Sequence, residues 1–362
     1  MARRGPKTAV LDASGPAAGA SGAADGAVSV ASKTPGTMMS LAGESLRYCE
    51  SLAANGGVLS HAFKTRPSFL FASDDEEAAA LDRLRVALSG SGAPVSVVQD
   101  NTPDQSTVPG IGPSVSRIVG LTGEGHMLGY EATEAFLAGS GAERIWPCRL
   151  LTVEDNGDHV RVVTSTGDLR ARQLVLATGI GTTLLFPELP LIPRSGQLII
   201  TDRTAGLDCE VLPGPLTSAA YLLSKSDRHI VPTRAPVVID PLRTGQLLIG
   251  SSREDNGSEA QTDFATMRRI LSSAVACLPS LARRRVLRVF AGLRTASGDG
   301  RPIVGAVPGA PNVYIATGFE GDGICLAPII GREIANLLTG APVRAALDSL
   351  APSRFFEQRA AV

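Results

Sequence analysis

The chain has 362 residues, of which 44% are apolar and 19% charged, with 39 glycines and 24 prolines. That balance excludes a disordered polymer, and the length fits about two domains of roughly 150 residues each. A formal net charge of −1 argues against a nucleic-acid binder with a broad basic face.

Other classes fall away on spacing. The longest apolar stretch, 174–193, is interrupted by Gly179, Gly181, Pro187, Glu188 and Pro190, so it does not read as a membrane span. No secretory leader is visible, and the expected location is the cytoplasm or the inner face of its membrane. Cys49, Cys148, Cys209, Cys277 and Cys325 lie far apart with no C-x-x-C, which argues against a zinc or iron–sulfur site and fits a reducing compartment. His61, His126, His159 and His229 form no H-E-x-x-H pattern, and no G-x-S-x-G turn occurs.

In chain order, Thr8–Asp12 reads as a buried parallel strand ending in a carboxylate. The Gly/Ala/Ser-rich stretch 13–32 is either a linker or a backbone-lined ligand cradle. Met38, Leu41, Tyr48 and Leu52 recur at helical spacing and predict a helix over 37–54, stopped by Asn55-Gly56-Gly57. A strand follows over 68–72. Ser73 and Glu76 have capping-box spacing before a helix with Leu81, Leu84 and Leu88 on one stripe, ended by Gly90. The region 100–129 reads as irregular, and 130–138 as a helix. Residues 159–171 alternate around Ser165-Thr166-Gly167-Asp168 and predict a hairpin; 174–177 reads as a parallel strand buried on both faces. A second hairpin spans 236–251. A helix over 264–278 is capped by Thr262 or Asp263 and closed by Pro279. A strand at 313–316, a glycine loop at 318–323 and a helix over 329–338 complete the pattern.

Parallel-type strands at both ends and in the middle predict an α/β fold. One Rossmann-like nucleotide-binding domain is expected from 1–45, 141–190 and 291–345. An antiparallel-sheet substrate domain is inserted as 46–140 and 191–290. A carboxylate at a strand end, here Asp12, can accept the hydroxyls of an adenosine ribose, although a plain turn-forming Asp is the commoner case. The G-x-G-x-x-G turn that precedes such an acid by about 20 residues is missing from the sequence, so the nucleotide-binding unit is expected to be N-terminally incomplete, with Met1–Gly5 as the tail of its first helix. Glycines at 318, 321 and 323 allow close backbone approach to a flat ligand, and the helix beyond offers a positive N-terminal dipole. Arg294 follows a strand and can clamp a carboxylate in a bidentate fork, the alternative being a surface ion pair. Arg283-Arg284-Arg285 reads as a solvated face.

At these residues the chain resembles the glycine/D-amino-acid oxidase superfamily of FAD-dependent oxidoreductases. The similarity runs in order through Gly19–Gly22, Asp25–Val28, Ser32–Gly36, Leu174–Gly179, Pro193–Gln197, Gly292–Arg294, Asp299–Gly305 and Ala316–Ile324. Within it, the chain is most similar to flavin subunits of heteromeric amino-acid dehydrogenases: opine oxidase, hydrogen cyanide synthase, and proline or D-hydroxyproline dehydrogenase. The resemblance implies non-covalent FAD, oxidation of the C–N bond of a small amino acid or secondary amine to an imine, and electron transfer to partner subunits or a carrier. Two rival expectations are a truncated, non-catalytic structural subunit and a peroxide-producing oxidase. The resemblance also implies residue roles. Asp12 would hold the ribose, Ser21 and Gly22 would lie by the pyrophosphate or flavin, and Cys148 would sit on the strand facing adenine. Thr178 and Gly179 would flank the cofactor. Gly318, Phe319, Gly321, Gly323 and Ile324 would line the flavin ring, and Arg294 would grip the substrate carboxylate. Phe319 stands where the family usually has His. No general base is assigned; His126 and Tyr130 are candidates by composition alone.

Overall fold

The computed structural model describes residues 7–102, 108–203, 212–226, 235–255, 257 and 260–356. In chain order the first half contains β1 (Ala9–Leu11), β2 (Ala27–Val28), α1 (Thr37–Ala53), β3 (Phe63–Ala72), α2 (Asp75–Gly90), β4 (Ser96–Asn101), β5 (Arg117–Met127), α3 (Gly129–Ser140), β6 (Glu143–Ile145), β7 (Leu150–Asp155), β8 (Val160–Thr164), β9 (Gly167–Ala171) and β10 (Leu174–Leu176). The second half adds β11 (Leu191–Thr201), β12 (Leu216–Ser218), α4 (Ala219–Ser226), β13 (Val238–Pro241), β14 (Leu247–Gly250), α5 (Phe264–Cys277), β15 (Val286–Ser297), β16 (Ile303–Val307), β17 (Ala310–Thr317), α6 (Gly323–Leu338) and α7 (Ser353–Phe356).

β1 pairs in parallel with β6, and β10 in parallel with β17, which continues antiparallel to β16. A large sheet runs β15-β11-β14-β13-β12-β3-β5-β2, with β4 also on β5. It is antiparallel except where Leu216–Ser218 lies parallel to Phe69–Phe71, so the expected antiparallel sheet is a mixed one. β7, β8 and β9 form a separate antiparallel meander containing the expected hairpin.

The period of two along β3 explains the layering. Leu70 and Ala72 enter the core made with α1 and α6, through Leu41, Leu46, Leu326 and Ile329. Phe69 and Phe71 point the other way, into the core under α5 with Ile270 and Ala274. Burying each of the Leu, Ile and Phe side chains among these stabilises by about 1.5–3 kcal/mol. A third cluster joins Val160, Leu176, Val313 and Ile315.

Several expectations need correction. The stretch read as irregular contains β4's end and all of β5, because its glycines serve close packing. A Cβ on Gly125 would stand 2.5 Å from the Phe63 ring, and Gly123, at φ +87°, would meet the Pro94 carbonyl at 2.1 Å. α2 is capped by Asp74, whose Oδ1 accepts from the Glu77 amide at 2.9 Å, while Glu77 reaches back to the Ser73 amide; the capping box lies one residue later than expected. α6 begins at Gly323, six residues earlier than expected, because Pro328 is accommodated within the helix. β1 and β10 are not buried on both faces: Val10 is 36% exposed and Val175 37%. Each has one edge without a strand partner among the described residues. Of the two proposed caps for α5, Asp263 is the one used, accepting from the Thr266 amide at 2.8 Å. Among the described residues no helix is long and apolar enough to cross a membrane.

Candidate functional site

Loops from β1, β10 and β17 converge on β15. β1 ends at Asp12, whose Oδ1 accepts from the amides of Ser14 and Gly15, both at 2.8 Å, so the turn-forming role is present; the residue is exposed. Its carbonyl accepts from the Cys148 amide at 2.7 Å. Cys148 itself is buried, its Sγ 3.2 Å from Thr166 Oγ1. The 13–22 stretch is a chain of tight turns rather than a linker. Ser21 and Gly22 are exposed there, and a Cβ on Gly129 would meet the Ser21 carbonyl at 2.0 Å and Ile324 Cδ1 at 2.9 Å. That contact brings Ser21 beside the start of α6. Ala23 in turn fills the space over Gly292 of β15, where a Cβ would approach it to 2.7 Å.

From the other side, Gly179 has φ +55° and its carbonyl accepts from Thr317 Oγ1 at 3.0 Å, which ties the end of β10 to the end of β17. Thr178 is exposed and bonds Thr182 Oγ1 at 3.0 Å. Gly318, at φ +74°, turns the chain off β17; Phe319 bridges to Ala296, and the Glu320 amide donates to the Thr295 carbonyl at 2.7 Å. Phe319 is half-buried against the core of α1 and α6. Gly321 is exposed, and Gly323 opens α6. Thr178, Gly179, Gly318 and Phe319 therefore meet along β15 one to three residues beyond Arg294. Arg294 is half-buried and donates to the Ser252 carbonyl (3.2 Å) and Ser251 Oγ (2.5 Å).

Between these loops lies an ionic network that sequence reading did not find. A buried carboxylate fastens one side of it. Glu124 Oε1 accepts from Ser29 Oγ and the Val30 and Ala31 amides, and Oε2 from Ser68 Oγ, each at 2.8 Å. This holds the 29–36 loop against β5 and places Lys33 inside, only 5% exposed. Asp322, the residue before α6, makes no capping bond; its Oδ1 instead takes Lys225 Nζ at 2.6 Å and Lys33 Nζ at 3.1 Å. Burial disfavours both charges, but mutual attraction overrides it: Lys33 is held above its usual range and Asp322 below its own. Glu320, at φ +50°, lies 3.3 Å from Arg253 and 3.5 Å from Arg194. Burial pushes Glu320 up, yet Arg253, Lys225 and Arg294 together pull it down to about 2. Arg194 also forks onto Asp255.

One pairing is costly on its face. Arg194 of β11 and Arg294 of β15 are direct cross-strand partners. Like charges in that position destabilise a sheet. Glu320 answers part of that repulsion from the loop above. Lys33 and Arg194 lie inside stretches of sequence already marked as similar to the superfamily; Lys225 and Arg253 had no sequence signal, since only folding brings them to Tyr221, whose ring lies 5.7 Å from Lys225 and 5.8 Å from Arg253.

The two base candidates lie elsewhere. His126 is buried by Arg66 and Asp240, and burial, with Arg66 adding, pushes it down to about 4. Tyr130 is 53% exposed, and burial of its remaining surface raises its pKa. Neither is among the residues paired to Arg294, Glu320 or Asp322. Met1–Gly5, Cys209 and His229 lie outside the described residues.

Known proteins resemble the chain in sequence and in fold. The chain is 33% identical to glycine oxidase from Pseudomonas aeruginosa over 190 residues, 51% of this chain and 47% of that one. It is 30% identical to hydrogen cyanide synthase subunit HcnC from Pseudomonas protegens over 177 residues, 49% and 36% of the two chains. The matched region thus spans about half or less of these relatives' length. Its fold superposes on L-proline dehydrogenase from P. horikoshii with a TM-score of 0.85 at 19% identity, covering 99% of this chain and 93% of that one. Residues 1–337 match the DAO family, described as FAD dependent oxidoreductase. The chain belongs to the DAO family of FAD-dependent oxidoreductases.

Proposed function

We propose that the chain oxidises the C–N bond of a small amino acid or secondary amine to an imine, with FAD as the electron acceptor in its site. The observation that supports this most is the convergence of the 178–179 and 318–323 loops on β15 beside Arg294. The residues present fit the cofactor. Asp12, Ser21, Gly22, Thr178 and Gly321 are all exposed, so none is consumed by the core, and the two glycine turns at positive φ, Gly179 and Gly318, keep side chains out of the ligand's path. Asp12 would take the ribose, Ser21 and Gly22 would lie by the pyrophosphate or flavin, and the segment around Cys148, which lies between β6 and β7 rather than on the expected strand, would face the adenine. Thr178, Gly179, Gly318, Phe319, Gly321, Gly323 and Ile324 would line the ring. The bound cofactor supplies a two-electron acceptor for the hydride leaving the carbon next to nitrogen.

The protein's part is positional and electrostatic. Arg294 has N–H donors beyond the two it uses and anchors the substrate carboxylate. The N-terminus of α6, with Lys33 and Lys225 beside it, places positive charge where electron density would arrive. Phe319 adds an apolar wall and moves no proton, so the amine must reach the site neutral; the imine is then hydrolysed by water. The division into a cofactor domain (1–45, 141–190, 291–345) and a substrate domain (46–140, 191–290) belongs to the same proposal. Likewise, electrons passing to a partner subunit or carrier and a reducing cytoplasmic setting are supported by the likeness to a synthase subunit and by Cys49, Cys148, Cys277 and Cys325, each buried and outside any disulfide. The test is to add FAD to the purified chain, measure bound flavin, and assay amine oxidation with and without an artificial acceptor. Flavin binding with acceptor-dependent oxidation is expected. Peroxide formation without acceptor would make it an oxidase, and a colourless, inert protein would overturn the proposal.

A further inference from the structure

We infer that the site recognises a substrate with two carboxylates, and that Arg253 anchors the second. The inference rests on the proposed amine oxidation for its location but draws on separate observations. Among the described residues, Lys33, Lys225, Arg194, Arg253 and Arg294 surround the loop 318–323, answered only by Asp322, Glu320 and Asp255. The neighbouring carboxylate, Glu254, accepts from Thr266 Oγ1 on α5 and is not among the partners of these cations. Positive charge is therefore in excess, although burial penalises every unpaired charge. Two cross-strand arginines, Arg194 and Arg294, add a repulsion that the sheet alone would not retain.

Arg253 is the member without a finished set of partners. Its Nη2 pairs with Glu320 at 3.3 Å and its guanidinium lies 5.8 Å from the Tyr221 ring centroid. Its Nη1 is buried with no hydrogen-bond partner, and the side chain is only 13% exposed. A buried charged donor left unpaired is costly, and an arriving oxyanion removes that cost. Arg294 and Arg253 approach the same centre from two elements: Arg294 hydrogen-bonds Ser251 and Ser252 immediately before Arg253, and both cations act on Glu320. A monocarboxylate amine satisfies one guanidinium; an amine carrying a second carboxylate satisfies both.

The test uses the FAD-reconstituted chain and two kinds of probe. Calorimetry compares malonate with acetate, which need no turnover; kinetics compares N-carboxymethylglycine with N-methylglycine, which differ by one carboxylate. Malonate is expected to bind about tenfold or more tightly than acetate, and kcat/KM to favour the dicarboxylate amine by a similar factor. Arg253→Met should close both gaps, while Arg253→Lys, which keeps the charge, should retain part of each. Equal binding of malonate and acetate by the unaltered chain, or a preference that survives Arg253→Met, overturns the inference, and the first result needs no variant to fold. Amine oxidation without dicarboxylate preference would leave the proposed function standing and remove this inference. An Arg253-dependent malonate preference without any oxidation would do the reverse.

Discussion

Glu320 and Asp240 are both buried carboxylates beside arginine, yet burial and charge win in opposite places. At Asp240, burial outweighs Arg66 and pushes the acid up to about 6, and its Oδ1 has no hydrogen-bond partner. At Glu320, burial is overridden by Arg253, Lys225 and Arg294, and the acid is held at about 2. The number of cations within reach decides the outcome. Asp240 is a structural ion pair sharing its neighbourhood with a neutral His126; Glu320 is one anion in a cluster with cations to spare. The second arrangement is the kind retained for a ligand, because a structural cluster would be expected to balance its charges.

The sharpest way to break this comparison is at Arg294. Arg294→Met is expected to lower kcat/KM for amine oxidation by roughly two orders of magnitude or more, read by steady-state kinetics on flavin-loaded protein. Arg294→Lys should recover only part, because a point charge does not reproduce the fork. Next in size is Glu320→Gln, which leaves Arg253 and Arg194 facing each other without their common anion and should cost about 3–5 kcal/mol in denaturant unfolding. Asp240→Asn, compared at or below pH 6, should cost less, since at least half of that acid is already protonated there.

The two sites also differ in the sign of their pH dependence. Glu320 is depressed below its usual 4.5, so its contribution to stability is present above that pH and lost as pH falls toward about 2. Asp240 is raised above 3.8, so its contribution is present below that pH and lost as pH rises through about 6. His126, depressed from 6.5, acts oppositely to Asp240: its contribution is present above 6.5 and lost as pH falls through about 4. Unfolding curves of His126→Gln across pH 7 to 4 should therefore show a smaller acid loss than the unaltered chain, and an unchanged slope would contradict the assigned burial. The smallest effect is expected at Asp263→Ala, a slight lowering of the unfolding midpoint from the lost cap of α5, with the Gln197 side-chain amide losing the carboxylate it donates to.

Much of the fold was legible because its signals are local. α1 carries a clean apolar stripe, and the hairpins and β17 show period-two or continuous apolar runs. β5 was hidden because its glycines, which look like loop residues, are required by contacts to Phe63 and Pro94 distant in sequence. Pro328 hid the first turns of α6. In the candidate site, the glycine turn off β17 was legible from spacing, whereas Arg294, expected just after a strand, lies inside β15 and pairs across to Arg194. The ionic network was not, because Lys33, Arg194, Lys225, Arg253 and Glu320 come from five separated segments and no local pattern announces that they meet. His126, a base candidate on composition, belongs instead to the Arg66–Asp240 cluster.

The most direct measurement is a calorimetric titration of the purified chain with FAD, followed by the visible spectrum of the washed protein. The account predicts one flavin retained per chain, with affinity reduced when Gly179 or Gly318, both at positive φ, is replaced by Val. No heat of binding and a colourless protein would contradict it.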